Sequence, residues 1–200
     1  MPLNIYLADL THTGLGIATE AFPLNIGLIA SYTKKRFGAA VDVSLFKYPD
    51  DLQHALDRSM PDVLGCSNYT WNSNLAYHFV RQVKARHSET VTVFGGTNYP
   101  FHPAKQREAL HHWSAVDVHT FYEGEVAFAS LVERCLSTDR ASFFTTPIAG
   151  CHFLDRSSGE LVAGDPPERI RSLDEIPSPY ATGLLDKFFD GRLTPLLETA

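Results

Sequence analysis

Runs of β-branched and aromatic residues recur at Leu3–Ala8, Val41–Phe46, Asp62–Cys66, Thr90–Phe94 and Val116–Phe121. Between them the apolar positions fall three and four apart, the spacing of one helix face. Leu75, Phe79 and Val83 with Ala76 and Val80 mark one such helix, and Val126, Ala129, Val132 and Leu136 mark another. Pro23 ahead of Leu24, and Pro49 with Asp50 ahead of Leu52, stand where a helix start tolerates proline. This rhythm predicts an α/β fold with a parallel sheet and helices on both faces.

Strand composition extends the prediction to strand order. Val41–Phe46 and Val116–Phe121 alternate apolar with polar residues, whereas the first, third and fourth runs are more continuously apolar. Strands two and five therefore read as edges. The order that places them outside is 2-1-3-4-5, the flavodoxin-like (Rossmann-like) five-stranded arrangement. Its ligands bind at the switch between strands one and three, outside the carboxyl ends.

After Leu136 the pattern changes. Residues 137–147 read as a loop, and residues 148–164 as a small β-hairpin around Ser157, Ser158 and Gly159. Residues 164–180, with prolines at 166, 167, 177 and 179, read as an extended connector. Residues 181–189 suggest a short amphipathic helix, and residues 193–200 an apolar strand-like piece without an evident partner. The division expected is an α/β domain over 1–136 and a hairpin, proline-rich linker and short helix over 137–200.

Composition narrows the partners. The 200 residues are 44% hydrophobic, enough for one core, and 17 Lys+Arg against 23 Asp+Glu give a formal charge of −6. No basic stripe offers itself to a phosphate backbone, so nucleic acid is not an expected partner. Cys66, Cys135 and Cys151 are widely spaced, which writes neither a disulfide framework nor a thiolate zinc site and suits a cytoplasmic protein. No apolar run approaches the ~18 residues of a membrane span, and the amino terminus lacks a basic segment ahead of its apolar stretch. The histidines form no H-E-x-x-H pattern; His54, His87 and His102 read as surface residues, and no metal ligand is assigned.

In a parallel sheet the segments after strands one, three, four and five share one rim. They contain Thr11, His12, Thr13 and Gly14; Ser67, Asn68, Tyr69 and Trp71; Gly95, Gly96, Thr97 and Asn98; and Glu123, Gly124 and Glu125. Glycines let a ligand approach the backbone, the polar side chains hydrogen-bond its edges, and the aromatic rings offer flat apolar faces. These residues together suit a large, flat, polar-edged ligand. Each also has a structural reading. Gly95 and Gly96 fit a tight strand-to-loop turn, Ser67 a helix cap, Trp71 a core or helix anchor, and one of the two glutamates a favourable charge at a helix start.

Asp9-Leu-Thr-His-Thr-Gly14 after strand one, Gly65-Cys-Ser-Asn-Tyr69 at strand three and Phe94-Gly-Gly96 at strand four resemble the cobalamin-binding domain family, with its D-x-H-x-x-G, S-x-L and G-G pattern. The likeness covers about residues 1–136. Residues 175–199 resemble the connector that, in cobalamin-dependent radical SAM enzymes, leads into a cysteine-rich cluster motif. The resemblance implies cobalamin as cofactor. For an intact enzyme it further implies S-adenosylmethionine, a 4Fe-4S iron–sulfur cluster and a following radical SAM domain, with methyl transfer or other radical chemistry on an undetermined substrate. In that alignment Thr11 stands where the family's cobalt-ligating histidine would be, and His12 falls one position late. The turn is then expected to lodge the nucleotide tail or corrin edge without giving cobalt a protein histidine. This stretch contains no three-cysteine motif, so no catalytic residue is assigned. A cobalamin sensor or receiver-like module is a second reading. A dinucleotide binder is a third, and it is disfavoured because Thr19 occupies the third glycine position of G-x-G-x-x-G and Lys47, not an acid, follows strand two.

Overall fold

The structure, a computed structural model, describes residues 1–138 and 142–197. Strands β1 (Leu3–Ala8), β2 (Val41–Phe46), β3 (Val63–Ser67), β4 (Val91–Gly95) and β5 (Val118–Thr120) are parallel and ordered 2-1-3-4-5, as strand composition predicts. The hairpin strands β6 (Cys151–Leu154) and β7 (Leu161–Ala163) continue this sheet, with β6 antiparallel to β5. Among the described residues the sheet is therefore seven-stranded and mixed, and β5 is covered on both sides rather than lying at an edge.

Among the described residues five α-helices join the strands: α1 (Leu24–Phe37), α2 (Pro49–Arg58), α3 (Ser73–Arg86), α4 (Pro103–His112) and α5 (Gly124–Ser137). Their ends follow from local chemistry. Pro49 opens α2 with Asp50 and Asp51 in its first turn, and Lys34, Lys35 and Arg36 close α1, each sign matching the helix dipole. His102 caps α4 by accepting the Ala104 amide.

Side-chain alternation along the strands divides the interior into two cores. Ile5, Leu7, Val63, Val93 and Val118 pack with Leu24, Ile26 and Ala30 of α1 and with Phe128, Leu131 and Val132 of α5. Tyr6, Ala8, Leu64, Cys66 and Phe94 pack on the opposite face with Leu52 and Leu56 of α2 and with Ala76, Phe79, Val80 and Val83 of α3. The carboxyl-terminal segments add Phe143, Phe144, Ile148, Phe153, Leu185, Phe188 and Leu193 to the first core.

Two carboxyl-terminal expectations are corrected. Residues 181–189 form turns and one 3-10 turn, Asp186–Phe188, instead of an amphipathic α-helix, because Gly183 takes φ 74°, a left-handed conformation that interrupts helix propagation. The apolar piece from Leu193 does have a partner. Phe22 N donates to Thr194 O at 2.9 Å and Thr194 N donates to Glu20 O at 2.6 Å, so the segment runs beside the entry to α1. Residues 198–200 of that prediction lie outside the described residues. Among the described residues, no helix is long and apolar enough to cross a membrane.

Candidate functional site

At the carboxyl ends of β1, β3, β4 and β5 the sheet parts from α1 and α5 to leave a cleft of about 240 Å³. Its floor is Leu7, Gly65, Val93 and Gly95; its walls are Asn25, Ile26, Leu28 and Ile29 of α1 and Gly124, Glu125 and Phe128 of α5. Ser67, Tyr69, Gly96, Thr120 and Tyr122 stand at its mouth. A Cβ at Gly65 would come within 2.7 Å of Leu7 Cδ2 and 3.4 Å of Phe128 Cε2, so the absence of a side chain there opens the floor. Gly96 has φ 126°, and a Cβ on it would meet the Asn68 carbonyl oxygen at 2.7 Å. The double glycine is thus required both for the turn and for the close approach of two loops.

Those loops are joined by their amides. Asn68 Nδ2 donates to Asn98 O and Asn98 Nδ2 donates to Asn68 Oδ1, both at 3.2 Å, while Asn68 N donates to Gly95 O at 2.6 Å. Asn68 is wholly buried, and its side chain ties the two loops of the rim together. Tyr69 and Trp71 form a stacked pair with centroids 4.6 Å apart and planes 8° from parallel, and Asn25 Nδ2 holds the Tyr69 hydroxyl at 3.0 Å. Trp71 is 54% exposed, which corrects the expectation of a core or helix anchor; the helix start is instead organised by Asn72, whose Oδ1 accepts the Tyr69 amide. Thr97 lies exposed beyond the turn.

Asp9, Lys47, Ser67 and Asn72 meet beneath the rim. Lys47 Nζ lies 3.0 Å from Asp9 Oδ2, and the Ser67 hydroxyl donates to Asp9 Oδ1. Asn72 Nδ2 reaches Ser67 Oγ at 3.1 Å, Leu10 O at 3.4 Å and Asp9 Oδ1 at 3.5 Å. Ser67 is therefore a member of a buried network and not a helix cap. Thr11 is also turned inward, 1% exposed, with its hydroxyl oxygen accepting the Thr19 amide at 2.9 Å. His12 is exposed and its Nε2 donates to the Trp71 carbonyl at 3.1 Å; Thr13 and Gly14 follow it on the surface. Neither Thr11 nor His12 lines the cleft. Beside the network, burial and the Asp9 carboxylate push the Cys66 thiol up to about 12, leaving it protonated and inert.

The two glutamates have separate settings. Arg169 Nε donates to Glu123 Oε1 at 2.9 Å and Ile170 N to Oε2 at 3.2 Å, which fastens the connector to the start of α5 and holds the Glu123 carboxyl below its ordinary range. Glu125 lines the cleft and also a neighbouring groove, bounded by Leu28, Ile170, Ile176 and Tyr180. Just ahead of Glu123, Tyr122 holds φ 69°, a strained conformation for a residue with a side chain, at the cleft mouth.

Loop reasoning thus finds Ser67, Tyr69, Gly95, Gly96, Gly124 and Glu125 at the cleft and misses Leu7, Asn25, Ile26, Leu28, Ile29, Gly65, Cys66, Val93, Thr120, Tyr122 and Phe128. Gly65 carries a readable signal, an interior glycine in an otherwise apolar buried strand. Asn25 carries a weaker one, a polar side chain in the apolar first turn of α1. Among the described residues, no group of three or more His, Cys, Asp or Glu is placed to hold a metal ion.

The family described as B12 binding domain matches residues 14–132. The chain is 33% identical over 173 residues to 2-(S-pantetheinyl)-carbapenam-3-carboxylate methyltransferase of Streptantibioticus cattleyicolor, covering 84% of this chain and 24% of the relative. It is 34% identical over 171 residues to the cobalamin-dependent radical SAM methyltransferase TokK of Streptomyces tokunonensis, covering 82% and 24%. It therefore spans about a quarter of the length of these curated relatives. The fold is that of part of the cobalamin-dependent S-adenosylmethionine radical enzyme OxsB, solved with aqua-cobalamin and S-adenosylmethionine bound. That match has a TM-score of 0.71 at 18% identity and covers 99% of this chain and 26% of that one. The family match covers β2 to β5, α1 to α4 and most of α5, and the chain belongs to the B12 binding domain family.

Proposed function

We propose that this chain holds cobalamin as the cofactor-binding module of a radical SAM methyltransferase, with the nucleotide tail in the glycine-floored cleft and the corrin over the rim. The observation that carries this reading is the floor itself. Gly65 and Gly95 remove side-chain volume where the sheet faces α1 and α5, and an added Cβ would lie 2.7 Å from Leu7 Cδ2 or 2.5 Å from Thr120 Oγ1. A slot of about 240 Å³ suits a flat heteroaromatic base and its sugar, whereas a macrocycle is too wide and must stay outside.

Residues at the mouth then have distinct tasks. The Thr120 hydroxyl and the Glu125 carboxylate meet polar atoms of the tail, Ser67 borders it while held by Asp9, and Leu28, Ile29 and Phe128 exclude water from its ring. The stacked Tyr69–Trp71 pair and the exposed His12–Gly14 turn face the corrin edge. Thr11 faces inward and His12 is tied to a backbone carbonyl, which supports a cobalt without a histidine ligand from this turn. When bound, cobalamin supplies a cobalt centre able to carry a methyl group; this chain's residues anchor and orient it.

Residues 1–136 form the cofactor-binding part in this reading, and residues 137–200 lead toward a radical SAM domain that would bring S-adenosylmethionine, an iron–sulfur cluster and the substrate. The three free thiols suit a reducing cytoplasm. The test is reconstitution of residues 1–200 with hydroxocobalamin, followed by gel filtration. The corrin absorption is expected to travel with the protein, and its spectrum to be the same for His12→Ala. Loss of all colour on the column would overturn cobalamin binding, and a spectral change in His12→Ala would overturn the histidine-free assignment.

A further inference from the structure

Four elements send one polar side chain each to a single buried point: Asp9 from the end of β1, Lys47 from the end of β2, Ser67 from the end of β3 and Asn72 from the start of α3. Lys47 is 1% exposed and its ammonium lies 3.0 Å from Asp9 Oδ2. Burying a lysine this completely is unfavourable unless its charge is matched, so the arrangement is not a by-product of packing apolar surface. The connections lead outward from this point into the rim. Asn72 fixes the Tyr69 amide through Oδ1 at 2.9 Å, and Lys47 O accepts the Thr11 amide at 3.1 Å. Thr11 in turn receives the Thr19 amide.

We infer that the Asp9–Lys47 pair is the positioning centre of the cofactor rim: it sets the loops after β1 and β3 at fixed height relative to one another, and Lys47 serves as the counter-charge that lets Asp9 do so. This inference rests on the cobalamin-binding reading but concerns residues outside the cleft. Asp9 and Lys47 line none of it. Both are positioning residues. Asp9 Oδ1 accepts from Ser67 and Asn72, and a carboxylate buried at that point is tolerable only beside the ammonium.

The test compares Lys47→Met with the neutral pair Asp9→Asn/Lys47→Met, in two arms. In the first, hydrogen exchange is followed without cofactor. Lys47→Met is expected to speed exchange at the Thr11, Thr19 and Tyr69 amides by about tenfold while β4 amides are unchanged, and the double variant to restore them, because an amide of similar shape keeps the hydrogen bonds without the charge. In the second arm, hydroxocobalamin affinity is expected to fall by about tenfold in Lys47→Met at pH 8. It should stay within about threefold of native in the double variant. Cys66, the other titratable group against Asp9, is protonated at that pH.

Equal losses in the single and double variants, or native exchange in Lys47→Met, would overturn the inference. Should Lys47→Met not fold, the double variant decides: binding supports the counter-charge role and a folded protein without binding overturns it. If the native chain retains no cobalamin, the functional proposal falls, and the exchange arm still decides whether the pair positions the rim.

Discussion

The phenol ring of Tyr99 lies flat against the imidazole of His119, centroids 3.7 Å apart and planes 13° from parallel. Tyr99 OH also lies 3.3 Å from His152 Nδ1, so the residue following the double-glycine turn is packed on two imidazoles from paired strands. Burial depresses both: His119 is held down to about 3 against an ordinary value of 6.5, and His152 is lowered as well.

The sign of the pH dependence follows. An unfolded chain protonates these imidazoles below about pH 6.5 and the folded one does not, so stability is full above that value and is lost as pH falls toward 3. One such imidazole contributes a slope of about 1.4 kcal/mol per pH unit. Urea unfolding at pH 7.5, 6 and 5 is expected to show this decline, and His119→Phe, which keeps a ring against Tyr99, to flatten it.

Filling the cleft floor is expected to separate binding from folding. In Gly65→Val the new methyl groups project between Leu7 and Phe128, and the nearest obstruction is the movable end of the Leu7 side chain. Cobalamin retention should fall by about a hundredfold while the chain remains folded, with a cost of about 1–3 kcal/mol for the overpacked position. Gly96→Ala should differ, because its Cβ meets the fixed Asn68 carbonyl at a φ of 126°. It is expected to lower both retention and thermal stability, as read by gel filtration and by melting.

Phe188 is expected to behave as a core residue although it lies in the connector region. It is 2% exposed and packs edge-on to Phe22, centroids 6.3 Å apart, ahead of α1. Phe188→Ala should destabilise the chain by about 3–5 kcal/mol in urea unfolding. A change below about 1 kcal/mol would show that the segment is not packed as described.

The Glu123–Arg169 pair is solvent-facing, with Arg169 88% exposed, so its removal should leave the melting temperature nearly unchanged. Its effect is local. Glu123→Gln is expected to speed hydrogen exchange at Ile170 and proteolysis across residues 166–172. Because Arg169 holds the Glu123 carboxyl below its ordinary range, the native connector should loosen only as acid protonates that group.

Most of the strand order was legible because it depends on a local property, the mixture of apolar and polar residues in each run, and β1 and β2 fall on the predicted residues. The antiparallel docking of β6 on β5 was not. It pairs His119 with His152, and nothing local in either strand announces a partner 33 positions away. The rim was legible wherever glycine or aromatic residues clustered in a loop. What escaped notice was everything decided by tertiary direction. Thr11 and Asn68 have the composition of ligand contacts but turn inward, and Leu28, Ile29 and Phe128 look like ordinary helix core while facing the cleft.

The alternation that puts Leu64 and Cys66 in one core and Gly65 on the cleft floor makes a single strand answer to two masters. Inserting one residue into β3 ahead of Leu64 would swing the leucine into the slot and leave a hole where it had packed. Recognition and foldedness would be lost in the same stroke. Length changes in β3 are thus barred from both sides.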